Sequence, residues 1–158
     1  MNGVDAALFR RLLGSFATGV AVVSARDATR RPAAMTASAI ASVSLEPPLL
    51  LVCVWQESDF HDVLAAADHF GLSVLADGQE HVSRRFASEA ADRFDGVPWT
   101  AHASGVPLLD GAAAHIVCAR RGGLPAGDHT IFLGEVMAGT AFDRGPLLHF
   151  RGAYRRLA

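Results

Sequence analysis

The sequence predicts a mainly β fold with peripheral helices, arranged as a mostly antiparallel barrel. Roughly six or seven segments have the composition of strands, and about three have the spacing of helices. Because the strands do not alternate regularly with helices, a doubly wound parallel sheet is disfavoured. The 158 residues, of which 51% are hydrophobic, suffice to bury one core. We therefore predict a single domain over residues 1–158.

The N-terminal part of the chain begins with a helix signal and continues with extended segments. Asp5 is a suitable N-cap for a helix over about Ala6 to Ser15, which Thr18-Gly19 ends. The helix has an apolar stripe at helical spacing: Leu8, Phe9, Leu12 and Leu13. A strand is then predicted at Val20 to Ser24 and a polar turn at Asp27 to Arg31. One extended element, rich in small hydroxyl residues, is predicted over Ala33 to Ser44.

The rest of the chain supplies the remaining strands and two short helices. Pro47-Pro48 marks a corner, and the apolar run Leu49 to Val54 predicts a strand buried on both faces. Ser58 is a suitable N-cap for a helix that ends near Ala67. Further strands are predicted at Phe70 to Leu75, Ala112 to Cys118, Thr130 to Met137 and Leu147 to Arg151, a helix at Gln79 to Ser88, and a loop at Arg120 to Gly127.

Charge and hydropathy exclude several classes of partner. The formal net charge is −2, and no run of basic residues is longer than two, so neither nucleic acid nor a membrane surface is expected as a partner. The chain begins without a basic segment followed by an apolar run, and no apolar stretch reaches about 18 residues. We expect a soluble, cytoplasmic protein in which Cys53 and Cys118 are buried free thiols.

Motif spacing points away from metals and from the common nucleotide folds. The histidines and cysteines lack metal-ligand spacing, so no metal site is predicted. Gly122 to Gly127 fits neither a dinucleotide fingerprint nor a P-loop. What remains is a hydroxyl-rich segment, Thr36 to Ser44, that leads to an apolar strand and a Ser-capped helix. An apolar wall, backbone amides near Trp55-Gln56 and hydroxyls such as that of Ser58 suit a flavin and its phosphate.

Three segments carry a resemblance to a known family. Gly127-Asp128-His129 is an uncommon turn that enters an apolar strand. Met35 to Pro48 contains Thr36, Ser42-Val43-Ser44-Leu45 and Pro47-Pro48, and the C-terminal segment contains Arg151-Gly152-Ala153-Tyr154. With these motifs the chain, from Phe9 to Leu157, resembles the flavin reductases that serve two-component monooxygenases.

The resemblance implies a flavin phosphate site that departs from the family pattern. Ser58-Asp59-Phe60 stands where the family has Ser-x-Thr, so the threonine is missing and Asp59 would repel a phosphate if it pointed inward. Anchoring is then expected from Ser58 and from an arginine, Arg84 or Arg85, with Arg93 as a weaker candidate for a flavin contact. Ala39 also stands where the family commonly has Ser.

The resemblance further implies a full set of cofactor contacts. His129 is expected to lie near the nicotinamide and to be the catalytic residue, and His149 stands where a tyrosine is common. The implied cofactor-binding residues are Thr36, Ala37, Ser38, Ala39, Cys53, Val54, Trp55, Gln56, Ser58, Arg84, Phe86, Ala87, His129, Arg151 and Tyr154.

The resemblance implies a split β-barrel, FMN-binding homodimer with NAD(P)H:flavin oxidoreductase activity. Hydride would pass from NADH, with NADPH as an alternative, to FMN or FAD, and the reduced flavin would leave for a flavin-dependent monooxygenase. NADH is preferred because no arginine cluster for a 2′-phosphate is evident. Two alternatives stay open: a split-barrel flavoprotein that acts directly on a small pathway intermediate, and a non-catalytic flavin or haem-related binding module.

Overall fold

The computed structural model describes residues 3–157, which form three helices and a set of strands. The helices are α1 (Ala6–Gly14), α2 (Asp59–Ala66) and α3 (Glu80–Phe86). The first six strands are β1 (Thr18–Gly19), β2 (Ala21–Arg26), β3 (Pro32–Ala37), β4 (Ile40–Leu45), β5 (Pro48–Trp55) and β6 (His69–Val74). The others are β7 (Trp99–Ala101), β8 (Pro107–Leu109), β9 (Ala114–Ala126), β10 (His129–Ala141), β11 (Leu148–Phe150) and β12 (Ala153–Arg155).

A seven-stranded antiparallel sheet forms the body of the molecule. Its strand order is β3-β2-β6-β9-β10-β5-β4, and every pairing in it is antiparallel. The sheet curls so that β3 approaches β5, while α2 packs against β2 and β3. Two small sheets, β1-β11-β12 and β7-β8, complete the structure. The predicted antiparallel barrel with peripheral helices is therefore confirmed.

Strand β2 separates two buried clusters. Ala21, Val23 and Ala25 belong to the cluster inside the barrel, whose aromatic members are Phe60, Phe70 and Phe132. The alternate residue Val22 faces a second cluster that includes Phe86 of α3. Successive side chains of a strand point to opposite faces, so this central strand is buried on both. Burying one such side chain stabilises the fold by about 1.5–3 kcal/mol.

Local signals predicted the helices well. The Asp5 carboxylate accepts a hydrogen bond from the Leu8 amide at 2.7 Å and caps α1. The Ser58 hydroxyl accepts from the Phe60 amide at 3.2 Å and caps α2. Within the described chain, none of the helices is long and apolar enough to cross a membrane.

The prediction of one extended element over Ala33 to Ser44 is wrong. The chain forms two strands there, β3 and β4, which lie at opposite ends of the sheet order. The break falls at Ser38-Ala39, where the Ala39 carbonyl accepts from the Cys53 amide at 3.0 Å. For the barrel to close, the chain must pass here from one end of the sheet order to the other. The residues around the break are small, so they give no local signal for it.

The prediction of a loop over Arg120 to Gly127 is also wrong. β9 continues to Ala126, and only Gly127 and Asp128 form the turn to β10. Gly127 has φ +65°, as the first position of a two-residue hairpin turn requires. Gly123 is a packing residue, because a Cβ there would lie 3.0 Å from Thr130 Cγ2 and 3.1 Å from Phe132 Cε1. Packing in the sheet therefore requires Gly123, and the turn requires Gly127.

Two expectations about burial also need correction: that the strand over Leu49 to Val54 is buried on both faces, and that Cys53 is a buried thiol. β5 buries Leu50, Val52 and Val54, but its other face, which includes Cys53, is only half-buried, so this strand is not buried on both faces. Cys118 is fully buried, and burial raises the pKa of its thiol to about 12. The apolar stripe of α1 forms as predicted, yet no residue of that helix is buried.

Candidate active site

A cleft with a volume of about 460 Å³ lies where β3, β5, α2 and α3 meet. Its size falls within the range of roughly 300–1,000 Å³ that is common for small-molecule sites. The lining residues are Met35, Thr36, Trp55, Glu57, Ser58, Asp59, Phe86, Ala87, Ser88, Glu89 and Arg93. The structure thus brings together five of the predicted cofactor-binding residues: Thr36, Trp55, Ser58, Phe86 and Ala87.

The back wall of the cleft is held by a chain of hydrogen bonds. The Thr36 hydroxyl donates to the Ser83 carbonyl at 2.7 Å, and the Ser83 hydroxyl lies 2.8 Å from the Tyr154 hydroxyl. Phe86 is buried and packs edge-on against Phe94, with ring centroids 5.0 Å apart. Tyr154 therefore supports the wall from behind, while Thr36 keeps its acceptor lone pairs for a ligand.

Ser58 and Trp55 form the opposite side of the cleft. The Ser58 oxygen accepts from α2, and among residues 3–157 its own proton has only the Met35 sulfur as partner, at 3.9 Å. Thioether sulfur is a weak acceptor, so an oxyanion in the cleft would replace it readily. Trp55 is 45% exposed and offers a flat apolar surface.

Arg93 supplies the positive charge of the cleft. Its Nε donates to the Ser88 carbonyl at 2.7 Å, and its Nη2 lies 3.0 Å from Asp59 Oδ2. Arg84 instead pairs with Glu80 at 2.7 Å and stacks over the Tyr154 ring. The structure brings Arg93 to the site and leaves Arg84 outside it.

Arg85 is also engaged elsewhere. It donates to the carbonyls of Asp92 and Arg93, both at 2.7 Å, and so holds the segment that carries Arg93. The sequence could not show which of these arginines reaches the cleft, because this depends on how the segment after α3 folds back over it.

His129 begins β10 directly beside the cleft. It pairs across the strands with Trp55, and its carbonyl accepts from the Gln56 side chain at 3.0 Å. Its Nδ1 lies 2.7 Å from Asp128 Oδ1, and this hydrogen bond lowers the pKa of Asp128. An ionised carboxylate only accepts, so Nδ1 carries a proton, and Nε2 has no partner among the described residues. The side chain is 43% exposed.

The other predicted residues do not line the cleft. Ser38 and Ala39 are exposed between β3 and β4, whereas Ala37 and Val54 are buried in the barrel. Arg151 sits in the β11–β12 turn, where its amide donates to the Gly14 carbonyl at 2.8 Å. It lines a second cleft, of about 540 Å³, with residues of α1. In residues 3–157 no group of three His, Cys, Asp or Glu side chains is placed to hold a metal ion.

Comparison with known proteins places the chain in a family. The family model described as a flavin reductase like domain matches residues 13–158. An NADH-dependent FAD reductase from Streptomyces globisporus is 43% identical over 160 residues, which cover 98% of this chain and 87% of the relative. The reductase subunit of a flavin-dependent monooxygenase from Rhodococcus jostii is 35% identical over 97% of this chain and 78% of its own length.

A solved structure gives the same result. The NADH:FAD oxidoreductase of Streptomyces globisporus C-1027, solved in complex with NAD and FAD fragments, has a TM-score of 0.93 and 43% identity. The match covers 100% of this chain and 98% of that one. The chain belongs to the flavin reductase like family, and the predicted split-barrel fold is confirmed.

Proposed function

We propose that this chain is an NADH-dependent flavin reductase that supplies reduced flavin to a separate monooxygenase. The observation that carries the proposal is the cleft that joins an apolar wall, two hydroxyls and a guanidinium at Phe86, Thr36, Ser58 and Arg93. This donor set fits a phosphorylated flavin, and the relatives named above are NADH-dependent or monooxygenase-associated flavin reductases.

The residues of the cleft divide the work of holding the flavin. Trp55 provides an exposed apolar surface for a flat ring system, and buried Phe86 supports the wall opposite it. The lone pairs of Thr36 accept from polar ring edges. The Ser58 proton and the Arg93 guanidinium bind phosphate oxygens. A flavin held there would supply the acceptor for the hydride that NADH donates, which is chemistry of the cofactors themselves.

His129 acts from the edge of the cleft. Strand pairing with Trp55 fixes its backbone, and Asp128 fixes the ring through Nδ1. The ring orients the nicotinamide, and correct placement within about 3–3.5 Å of the acceptor supplies much of the rate enhancement. An imidazole at this position would also stabilise charge that develops beside it during hydride transfer.

Anaerobic NADH oxidation, followed by flavin bleaching with FMN and FAD separately, tests the function. We expect NADH to be consumed only when flavin is added, and NADPH to be the poorer donor. Flavin retained through dialysis without turnover of added flavin would identify a flavoprotein that acts directly on another substrate. Flavin binding without any reduction would identify a binding module.

We also propose that the chain is a homodimer. The exposed stripe of α1, with Phe9, Leu12 and Leu13, continues to Phe16 and is an apolar surface that a second copy would cover. Light scattering should give twice the monomer mass, and Leu12→Glu should reduce it to the monomer. Leu124→Glu, on an exposed residue elsewhere, is the matched control. A monomeric parent would contradict the proposal.

Two further proposals concern the organisation and location of the protein. We propose that residues 1–158 act as one domain, for which one cooperative unfolding transition is expected. We propose a cytoplasmic location, which the two free cysteines, Cys53 and Cys118, support because free thiols persist in reducing compartments. Activity in a membrane or secreted fraction would contradict it.

A further inference from the structure

An ion pair occupies the anion-binding side of the cleft. Asp59 and Arg93 face each other through two contacts, Oδ2 to Nη2 at 3.0 Å and Oδ1 to Nη1 at 3.2 Å. Both residues line the same cleft as Ser58. The edge of the guanidinium that a phosphate would take is therefore held by a carboxylate of the chain itself.

The two partners are fixed to very different degrees. Arg93 is 14% exposed, and it also donates to the carbonyls of Ser88 and Ala34 at 2.7 and 3.2 Å. Asp59 is 69% exposed, and its carboxylate has no other hydrogen bond among the described residues. The carboxylate can rotate into solvent without breaking another contact, whereas the guanidinium stays in place.

Phosphate and carboxylate compete for the same geometry. A carboxylate is planar and a phosphate is tetrahedral, but each presents two oxygens to the fork of an arginine and forms paired charge-assisted hydrogen bonds with it. Asp59 is the exposed partner, and ion pairs at the protein surface are weak, so a phosphate can displace its carboxylate. The displaced carboxylate remains close to the incoming anion and repels it, which reduces the net gain from binding.

We propose that Asp59 is an internal competitor for the phosphate of the flavin and keeps the retention of phosphorylated flavins weak. The inference rests on the proposed function and refines it, because a reductase that delivers its product must release it. Riboflavin, which has the ring but no phosphate, does not require the Asp59–Arg93 pair to open. The pair therefore lowers affinity for FMN and FAD selectively.

The test compares riboflavin, FMN and FAD in flavin fluorescence titrations of the parent and Asp59→Asn. We expect Asp59→Asn to bind FMN and FAD about fivefold more tightly and riboflavin unchanged. Dissociation of FMN, measured by dilution in stopped flow, should slow by a similar factor. High salt should reduce the difference between parent and variant, because screening weakens exposed charge pairs.

Two controls separate a specific competitor from a general charge effect. Asp62→Asn makes the same substitution in the same first turn of α2, but its side chain is 99% exposed and contacts His61. Glu89→Gln removes a charge from the cleft lining without touching the ion pair. Neither control should change the ratio of FMN to riboflavin affinity. In an Asp59→Asn background, Arg93→Lys should abolish the gain for FMN.

Each outcome decides the inference. Equal gains for riboflavin and FMN, or the same FMN gain in Glu89→Gln, would overturn it while leaving the flavin site intact. If the parent binds none of the three flavins, the proposed function and this inference both fail. If Asp59→Asn does not fold, Asp59→Ser takes its place, and an unchanged FMN to riboflavin ratio there would also overturn the inference.

Discussion

The back wall of the cleft and the Gly127–His129 turn are built in opposite ways. Phe86 is buried, and Thr36 is tied through Ser83 to Tyr154, so the wall is part of the packed interior. His129 lies at the tip of a hairpin, 43% exposed, with its ring held by one hydrogen bond to Asp128. The residues proposed to support the flavin thus belong to the packed interior. The residue proposed to contact the nicotinamide lies on an exposed hairpin and has few contacts.

The largest expected effect is on the wall. Phe86→Ala should reduce the free energy of unfolding by about 3–5 kcal/mol, because it leaves a cavity beside Phe94. Urea denaturation monitored by circular dichroism measures this. Leu124→Ala, on the exposed part of the hairpin, should cost less than about 0.5 kcal/mol. Similar losses in the two variants would break the contrast between wall and hairpin.

A change at the turn should affect the reaction and leave binding intact. His129→Ala should slow reduction of bound flavin by NADH on the order of a hundredfold, since loss of an orienting contact shifts the reacting atoms. Stopped-flow reduction over a range of NADH concentrations measures it, beside a flavin titration of the same sample. His81→Ala, on an exposed histidine of α3, is the control. Parent-like reduction, or a loss of flavin affinity alone, would remove His129 from the nicotinamide site.

Ser58→Ala should have the reverse pattern. Loss of the hydroxyl should weaken flavin binding by about 1–2 kcal/mol, through a lost hydrogen bond and a lost helix cap. The rate of reduction at saturating flavin should stay close to that of the parent. Fluorescence titration measures the affinity, with Thr140→Ala near the exposed end of β10 as the control. An unchanged affinity for FMN would exclude Ser58 from the phosphate site.

The smallest expected effect concerns the contact that orients His129. The hydrogen bond from His129 lowers the pKa of Asp128 below the ordinary value of 3.8. Because this pKa is lowered, the Asp128 carboxylate is ionised and the contact is fully formed above pH 3.8. The contact is lost only as the pH falls through the lowered pKa of Asp128. Carboxylate titration by NMR should show this inflection, and His129→Ala should move it back up. An Asp128 titration that is the same in both proteins would show that the contact does not form.

Sequence reasoning succeeded where the signal was local. The caps at Asp5 and Ser58 were predicted because each depends on a side chain and amides within three residues. It failed at Ser38-Ala39 and at Gly122-Gly123, where the demands of barrel closure and of the Phe132 ring decide the backbone. The sequence also favoured Arg84 or Arg85 over Arg93 as the phosphate ligand, for the same reason. The position of Arg93 in the cleft depends on Asp59, which is 34 residues away in the chain.

The hydrogen-bond chain from Thr36 to Tyr154 sets the order in which the site can mature during synthesis. Ser83 follows Thr36 by 47 residues, and Tyr154 follows Ser83 by a further 71. Because such distant contacts form only after the intervening chain is available, the wall cannot close while the ribosome still holds β12. A nascent chain that already displays Ser58 and Phe86 but not yet Tyr154 would therefore lack a finished cleft, so the site matures only after β12 has left the ribosome.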